Sequence, residues 1–517
     1  MNKKKFFYNA FVLVAVTFLL RFIWTSFRVI VSNKVGAECM GLFQLTFAVY
    51  NISVTFASSG INFASTRLIT QAIANNTPDK KDIMKKCVLY SLIFGISAFA
   101  AVFLSSDILA QKILCDKRTS LSLKAFSVSL PFISLSSAIS GYFYAKRDVN
   151  ITLVSRAIEQ FAQIISFFAI MRFIPKNDIE LSCFALTVSG AISEILGGIF
   201  LYLVYKLNLK DERLYSNKNV FKKICLISIP SALGAYLKNG LQTIENILIP
   251  IGFRKHGATN SQSLSGYGML CSMVMPVIFF PSFVLSSFSM LLIPEFTEAQ
   301  TLNKENEIHK TASLSIRLTL YFSLLVSAIF ICFGSELGEL IYNSKMAGEL
   351  IEIMAPLIPF MYLDSIADGM LKGLGEYNRV LAYSSIDTVL SIIMIIFIIP
   401  KAGLYGYVTV IYVSAMLNSV LSISRILKIS KNTIGFFKEI VIPFGTSLLC
   451  SSFSKMLFLN LGLKNKIVSV AVGIVFSVII SLFFGFFSKS EFSLLIKETM
   501  GKLLLKNSRG ILNKKTA

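Results

Sequence analysis

An all-α membrane fold, with about fourteen transmembrane helices in two six-helix lobes plus two C-terminal helices, is predicted by three features of the 517-residue chain. Apolar runs close to the roughly twenty residues that cross a bilayer recur from one end to the other. Charged residues make up only 15%, against about 25% in soluble domains. One stretch also repeats at a fixed offset. Mean hydropathy is +0.69. The net charge of +22 does not point to nucleic acid, because the basic residues lie between apolar runs and form no single patch.

The spans are placed at Asn9–Val31, Gly41–Gly60 (continuing as helix to Ala74), Cys87–Leu104, Leu123–Tyr144, Ile151–Ile174, Cys183–Tyr205, Ile224–Ile251, Tyr267–Ile293, Ala312–Phe333, Leu350–Ala367, Val380–Ile399, Leu404–Leu427, Phe436–Leu457 and Ile467–Phe487. The first run is too long for a leader core and is read as retained. The tenth is interrupted by Pro356 and Pro359. Fourteen spans place both termini on one side of the membrane. Loops on that side, with the residues at their edges, carry 30 Lys and Arg against 13 on the other, so the termini are predicted cytoplasmic. The stretch Ser105–Lys124 departs from this bias, with four positive charges on the outer side.

Pro131–Ile165 aligns without a gap on Pro359–Ile393, and Pro-Phe, Gly141 and Asn150 fall in register with Pro-Phe, Gly369 and Asn378. Spans 4–5 therefore resemble spans 10–11, which predicts two lobes related by an axis along the membrane normal. The organisation expected is an N-lobe over 1–205, a basic cytoplasmic linker over 206–223, a C-lobe over 224–427, two further helices over 436–487 and a basic amphipathic tail over 488–517. A cavity between the lobes is the expected consequence.

Charges inside apolar runs are the informative residues, because a cation near the bilayer centre costs roughly 2.5–3.5 kcal/mol on insertion scales and usually faces water or a partner. Arg21 and Arg28 lie seven residues apart in the first run, about two turns, and so project from nearly one face. Arg67 follows toward the end of the second helix. Three guanidinium groups and no carboxylate in these helices favour an anionic ligand such as a phosphate or diphosphate. Arg156 with Glu159, Lys238 and Arg317 lie near predicted membrane edges and are read as snorkelling or locally paired. Glu194, Lys238, Glu245, Asp364, Asp368 and Asp387 complete the charges in and beside the later spans. The eight cysteines show no metal-ligand spacing and no disulfide framework. Two histidines in loops, no nucleophile or nucleotide motif and no loop beyond roughly twenty residues argue for a transporter and against an enzyme. The acids of loop Gly334–Glu349 (Glu336, Glu339, Glu349) are the one place a membrane glycosyltransferase would need, and are read as a repeat feature.

Arg21 through Arg28, Val35-Gly36-Ala37-Glu38, Gly41-Leu42-Phe43-Gln44, Tyr50, Ser59-Gly60 and Arg67-Leu68 resemble the opening helices of the sporulation and polysaccharide-export, lipid II flippase-like branch of the multidrug/oligosaccharidyl-lipid/polysaccharide flippase superfamily. Glu245 to Gly257, Gly266-Tyr267-Gly268, Pro276 and Pro281 resemble that branch's seventh and eighth helices. The resemblance implies a plasma-membrane flippase that moves undecaprenyl-diphosphate-linked saccharide, foremost lipid II for cortex or cell-wall peptidoglycan, by alternating access. It implies that Arg21, Arg28, Arg67 and Arg254 bind the diphosphate. It implies Glu245, Asp387 and Thr409 as ion-coupling positions, with Na+ or the membrane potential as the coupling source and no other cofactor or metal, although Glu245 stands where relatives have Asp. The implied partners are the lipid-linked saccharide, membrane lipids and cell-wall synthesis enzymes, and the expected state is a monomer. Alternatives are a capsular or teichoic-type cargo, or a MATE-type cation antiporter.

Overall fold

The computed structural model describes residues 3–75, 80–175, 178–208, 220–433, 435–460 and 466–487. Most of the predicted basic linker and the whole predicted amphipathic tail lie outside them. Backbone N–H and C=O groups cannot go unpaired in hydrocarbon, and the chain answers with helices throughout and no strand among the described residues.

The helices are α1 (Lys3–Ser58), α2 (Ile61–Ala74), α3 (Lys80–Ile108), α4 (Thr119–Ser127), α5 (Leu130–Ala145), α6 (Val149–Met171), α7 (Ile179–Asn208), α8 (Val220–Lys255), α9 (Asn260–Gly268), α10 (Met275–Phe279), α11 (Ser282–Thr301), α12 (Glu305–Tyr342), α13 (Lys345–Met354), α14 (Ile358–Gly373), α15 (Tyr377–Ser430), α16 (Ile442–Asn460) and α17 (Lys466–Phe487). Each of the fourteen predicted segments falls on helix. Eleven helices among the described residues are long and apolar enough to cross a membrane. That number is smaller because α1 and α15 each join two segments at a bend, and because the stretch Ile467–Ser481 of the last segment falls among the shorter apolar helices. The bends sit at Gly36 (φ 80°, ψ 169°) and Gly403 (φ 56°, ψ −132°), backbone geometries that a Cβ forbids. The repeated stretch is visible as a pair of sixteen-residue helices, α5 and α14, each opening with a proline in its first turn, where no N–H partner is lost. The prolines of the tenth span produce a short 3₁₀ turn, Ala355–Leu357, before α14.

The chain packs as two compact units, Met1–Met273 with Thr388–Val410, and Val274–Asp387 with Ile411–Ala517. In the first, α6 packs on α7, α3 and α2 on α5, and α1 on α8 and α9. Its core gathers fully buried Tyr90, Tyr142 and Ile139 in one cluster and Leu42, Phe167 and Cys183 in another. In the second unit α12 packs on α13, α14 and α16, and α11 on α14. Arg317 there reaches Glu439 at 3.1 Å, and Glu336 pairs with Lys455 at 2.8 Å, so both are partnered by ion pairs.

Candidate functional site

A cavity of about 320 Å³ opens inside the first unit, walled by α1, α4, α6 and α7. Arg28 and Gln44 of α1, Gln163 of α6, and Ser193 and Glu194 of α7 supply its polar groups. Trp24, Phe27, Phe43, Phe47, Tyr50 and Phe126 supply aromatic surface. The helices hold these groups by specific contacts. Gln160 donates its amide to the Leu20 carbonyl at 2.8 Å, which ties α6 to α1 one turn from the cavity. Phe27 meets Phe167 edge-on with centroids 5.6 Å apart. Tyr50 stacks on Phe126 at 4.0 Å, and its hydroxyl is paired with Ser129 at 2.8 Å. Next to Glu194 a second carboxylate, Glu159, accepts from Ser155 at 3.0 Å.

Of the three arginines read from the first two helices, Arg28 alone lines this cavity. It is half-buried, whereas Arg21 and Arg67 are exposed. The two arginines of α1 share an angular position but are separated along its axis by about 10 Å, at roughly 1.5 Å per residue, so different neighbours surround them. Glu194 shares the chamber with Arg28, so the chamber holds a carboxylate as well as a guanidinium. The intramembrane charge of Glu194 is legible in the sequence, but its convergence with Arg28, Gln44 and Gln163 is not. A polar amide inside an apolar run is the signal that marks the two glutamines, since burying one without a partner costs about 1–3 kcal/mol.

A second polar site closes the Gly36 end of the same unit. Arg118 forms a fork on Asp116, with Nε donating to Oδ1 at 3.1 Å and Nη2 to Oδ2 at 2.8 Å, while Nη1 donates to Glu38 at 2.9 Å. Asn260 donates to Asp116 at 2.8 Å, and Ser261 donates to Glu38. Arg254 donates to the Cys115 carbonyl at 3.3 Å and to Asn260 Oδ1 at 3.0 Å, contacts with neutral acceptors only among the described residues. Burial acts to raise the Asp116 carboxyl, but the hydrogen bonds and charge of Arg118, with the Asn260 amide, outweigh it and hold the group below its ordinary value. The Arg118 guanidinium is raised in turn, first by its hydrogen bonds to Asp116. Lys124 pairs with Asp107 at 3.1 Å. Two of the four positive charges that depart from the charge bias in this stretch, Arg118 and Lys124, are thus partnered by acids.

Glu245 is half-buried and lies within electrostatic reach of Tyr267, Cys271 and Tyr407. Thr409 is exposed and donates to the Tyr405 carbonyl of its own helix at 2.9 Å. Asp387 belongs to the second unit, where it is hydrogen-bonded by Ser414 and lies within electrostatic reach of Asp364. Asp364 in turn accepts from Asn418 at 3.1 Å and Ser422 at 3.0 Å. Among the described residues no group of three or more His, Cys, Asp or Glu is arranged to hold a metal ion.

Long apolar helices around a chamber with opposed charges define a multi-pass membrane protein of transporter architecture. The chain belongs to the polysaccharide biosynthesis protein family, whose model matches residues 6–300, and a second model, MatE, matches 211–397. Both place it in the flippase superfamily that its opening helices resemble. It is 25% identical over 472 residues to stage V sporulation protein B of Bacillus subtilis (strain 168), covering 88% of this chain and 89% of that protein. It is 20% identical over 422 residues to lipid II flippase MurJ of the same organism, covering 75% of this chain and 76% of that protein. The solved structure of lipid II flippase MurJ in an inward closed conformation superposes with a TM-score of 0.70 at 12% identity, over 95% of this chain and 99% of that one.

Proposed function

We propose that this chain is a flippase for undecaprenyl-diphosphate-linked saccharide, with lipid II as its cargo, working outward across the plasma membrane by alternating access and with both termini in the cytoplasm. One observation carries the reading: a half-buried guanidinium, Arg28, lines a chamber inside a helical unit of a polysaccharide biosynthesis family member. Guanidinium offers paired donors to phosphate oxygens, and in a low-dielectric chamber such hydrogen bonds are about twice as strong as neutral ones. Arg21, Arg67 and Arg254 are further diphosphate contacts in this reading, at other points of the cycle. Glu245, Thr409 and Asp387 are its ion-coupling positions, with Na+ or the membrane potential as the source. The similarity to proteins named for sporulation and for lipid II flipping supports the cargo. A capsular or teichoic-type lipid would use the same diphosphate contacts.

Labelling of externally exposed lipid II in cells depleted of their own flippase tests the reading. Expression of this chain restores exposure, and Arg28→Ala lowers it by about tenfold, the equivalent of one charge-assisted hydrogen bond at about 1.4 kcal/mol. Undiminished flipping by the Arg21→Ala, Arg28→Ala double variant overturns it. Glu194 in the chamber gives the antiporter alternative one supporting observation. Efflux of a cationic dye by this chain in a pump-deficient strain, lost in Glu194→Gln, is the result that would establish it.

A further inference from the structure

We infer that Glu194, Gln163 and Gln44, which line the first-unit chamber together with Arg28, form a saccharide subsite that reads the sugar of the cargo. The inference rests on the flippase reading and adds to it the residues that recognise the sugar. Its geometric basis is one chamber whose lining mixes two kinds of polar chemistry. Arg28 presents the one guanidinium, and the three other long polar side chains present two amides and a carboxylate. Among the described residues none of Gln44, Gln163 and Glu194 makes a side-chain hydrogen bond or ion pair within the protein. Polar groups in a largely enclosed place are normally paired. Three that are not, turned into one cavity, form an array of donors and acceptors awaiting a ligand of the same kind.

The chemistry of that array matches a pyranose more closely than a phosphate. A sugar ring offers a rim of hydroxyls that each donate and accept, and the carboxylate accepts while each amide does both. It also offers a flat face of C–H groups, and the Tyr50–Phe126 stack, with rings 4.0 Å apart and 13° from parallel, gives the chamber a rigid aromatic edge. The Tyr50 hydroxyl is held by Ser129, so that ring contributes surface rather than a donor. A carboxylate would repel the diphosphate, which assigns the phosphates to Arg28. At about 320 Å³ the chamber lies at the low end of the roughly 300–1,000 Å³ typical of small-molecule sites. That is space for a ring or two of the headgroup.

The full-length protein in nanodiscs is titrated with two probes, undecaprenyl diphosphate and undecaprenyl diphosphate carrying a disaccharide. The unaltered protein binds the sugar-bearing lipid about tenfold more tightly, as expected for two or three net hydrogen bonds of about 0.5–1 kcal/mol each. Glu194→Ala with Gln163→Ala closes that gap to within about twofold, chiefly through the sugar-bearing lipid, and Glu194→Gln retains most of it because an amide still bonds hydroxyls. Arg28→Ala weakens both lipids together. Thermal melts establish that each variant is folded. The inference is overturned if the double variant keeps the gap, if it weakens both lipids equally, or if tetraphenylphosphonium binds in a Glu194-dependent manner and displaces neither lipid. If the unaltered protein binds neither lipid, the flippase reading itself falls and takes this inference with it; binding of both lipids with no gap removes the subsite alone.

Discussion

Arg118→Ala is expected to loosen the Gly36 end of the first unit, raising the labelling rate of Cys39 by a membrane-impermeant maleimide about tenfold. Arg118 joins Asp116 to Glu38, and the Asp116 side chain is only 4% exposed. Removing the guanidinium leaves two carboxylates beside one another, one of them buried. Breaking a fully buried pair costs roughly 3–5 kcal/mol, but Arg118 is 29% exposed, so solvent discounts the loss to about 2 kcal/mol. Such a change exceeds the 1.4 kcal/mol that equals a tenfold shift in an equilibrium. Cys39 reports it directly, since it is fully buried and follows Glu38 in the chain. Peptide mapping separates it from the other cysteines. Arg118→Lys, which keeps the charge but not the fork, is expected to give an intermediate rate. If the N-terminus is cytoplasmic, label added outside the cell reaches this end, and label confined to the cytoplasm does not.

The pH dependence of the same contact follows from the lowered Asp116 carboxyl. A carboxyl whose folded value lies below its unfolded value stabilises the fold above the ordinary carboxylate range, and that stabilisation disappears as pH falls through the folded value. Closure is therefore expected to be unchanged from neutral pH down to the usual carboxylate range, with Cys39 labelling, taken relative to that of the unfolded protein at the same pH because only the thiolate reacts, quickening only below it. A relative rate that already rises between pH 7 and pH 5 would show that Asp116 is not the group that holds the end shut.

The spans and the repeat were legible because hydropathy and proline position are local properties. Each predicted run lies on a helix, and the register of Pro131 with Pro359 reappears as the first turns of α5 and α14. The bends of α1 and α15 were marked only by single glycines, whose φ is set by packing that no local pattern contains. The candidate chamber was half legible. An arginine inside an apolar run announces itself through the cost of burying charge, which singled out Arg28 but equally Arg21. Distinguishing them needed the neighbours: Phe27 beside Arg28 meets Phe167 of α6, a residue 140 positions away in the chain. The Arg118 network was barely legible, because its members come from three loops or helix ends and carry no spacing motif. The only trace was an excess of positive charge on the unexpected side.

Gly268→Ala is expected to cost about 3 kcal/mol, at the upper end of overpacking changes, because it strikes the backbone contact beneath that network. A Cβ at Gly268 would lie 2.1 Å from the Ala37 carbonyl oxygen and 2.4 Å from the Gly41 nitrogen, and one at Gly41 would lie 2.0 Å from the Leu264 carbonyl oxygen. All are main-chain atoms, so no rotamer change relieves the overlap, and α1 and α9 must separate. Small residues that permit such close approach drive helix association where lipid offers no hydrophobic gain. Two outcomes are distinguishable by combining thermal melts in detergent with Cys39 labelling. If the contact only stabilises the fold, the melting midpoint falls and labelling rises only as the protein unfolds. If the Gly36 end opens during transport, labelling rises well below the melting midpoint, because the variant favours a folded, open state. The double variant Arg118→Ala, Gly268→Ala then decides how the two layers relate. Glu38 lies between Ala37 and Gly41, the two residues that Gly268 meets, so separating the helices also pulls Glu38 from Arg118. The two effects are therefore expected to fall short of additivity by about 1 kcal/mol, the coupling typical of groups that share one contact. Full additivity would mean that the ion network and the glycine contact hold the Gly36 end shut independently.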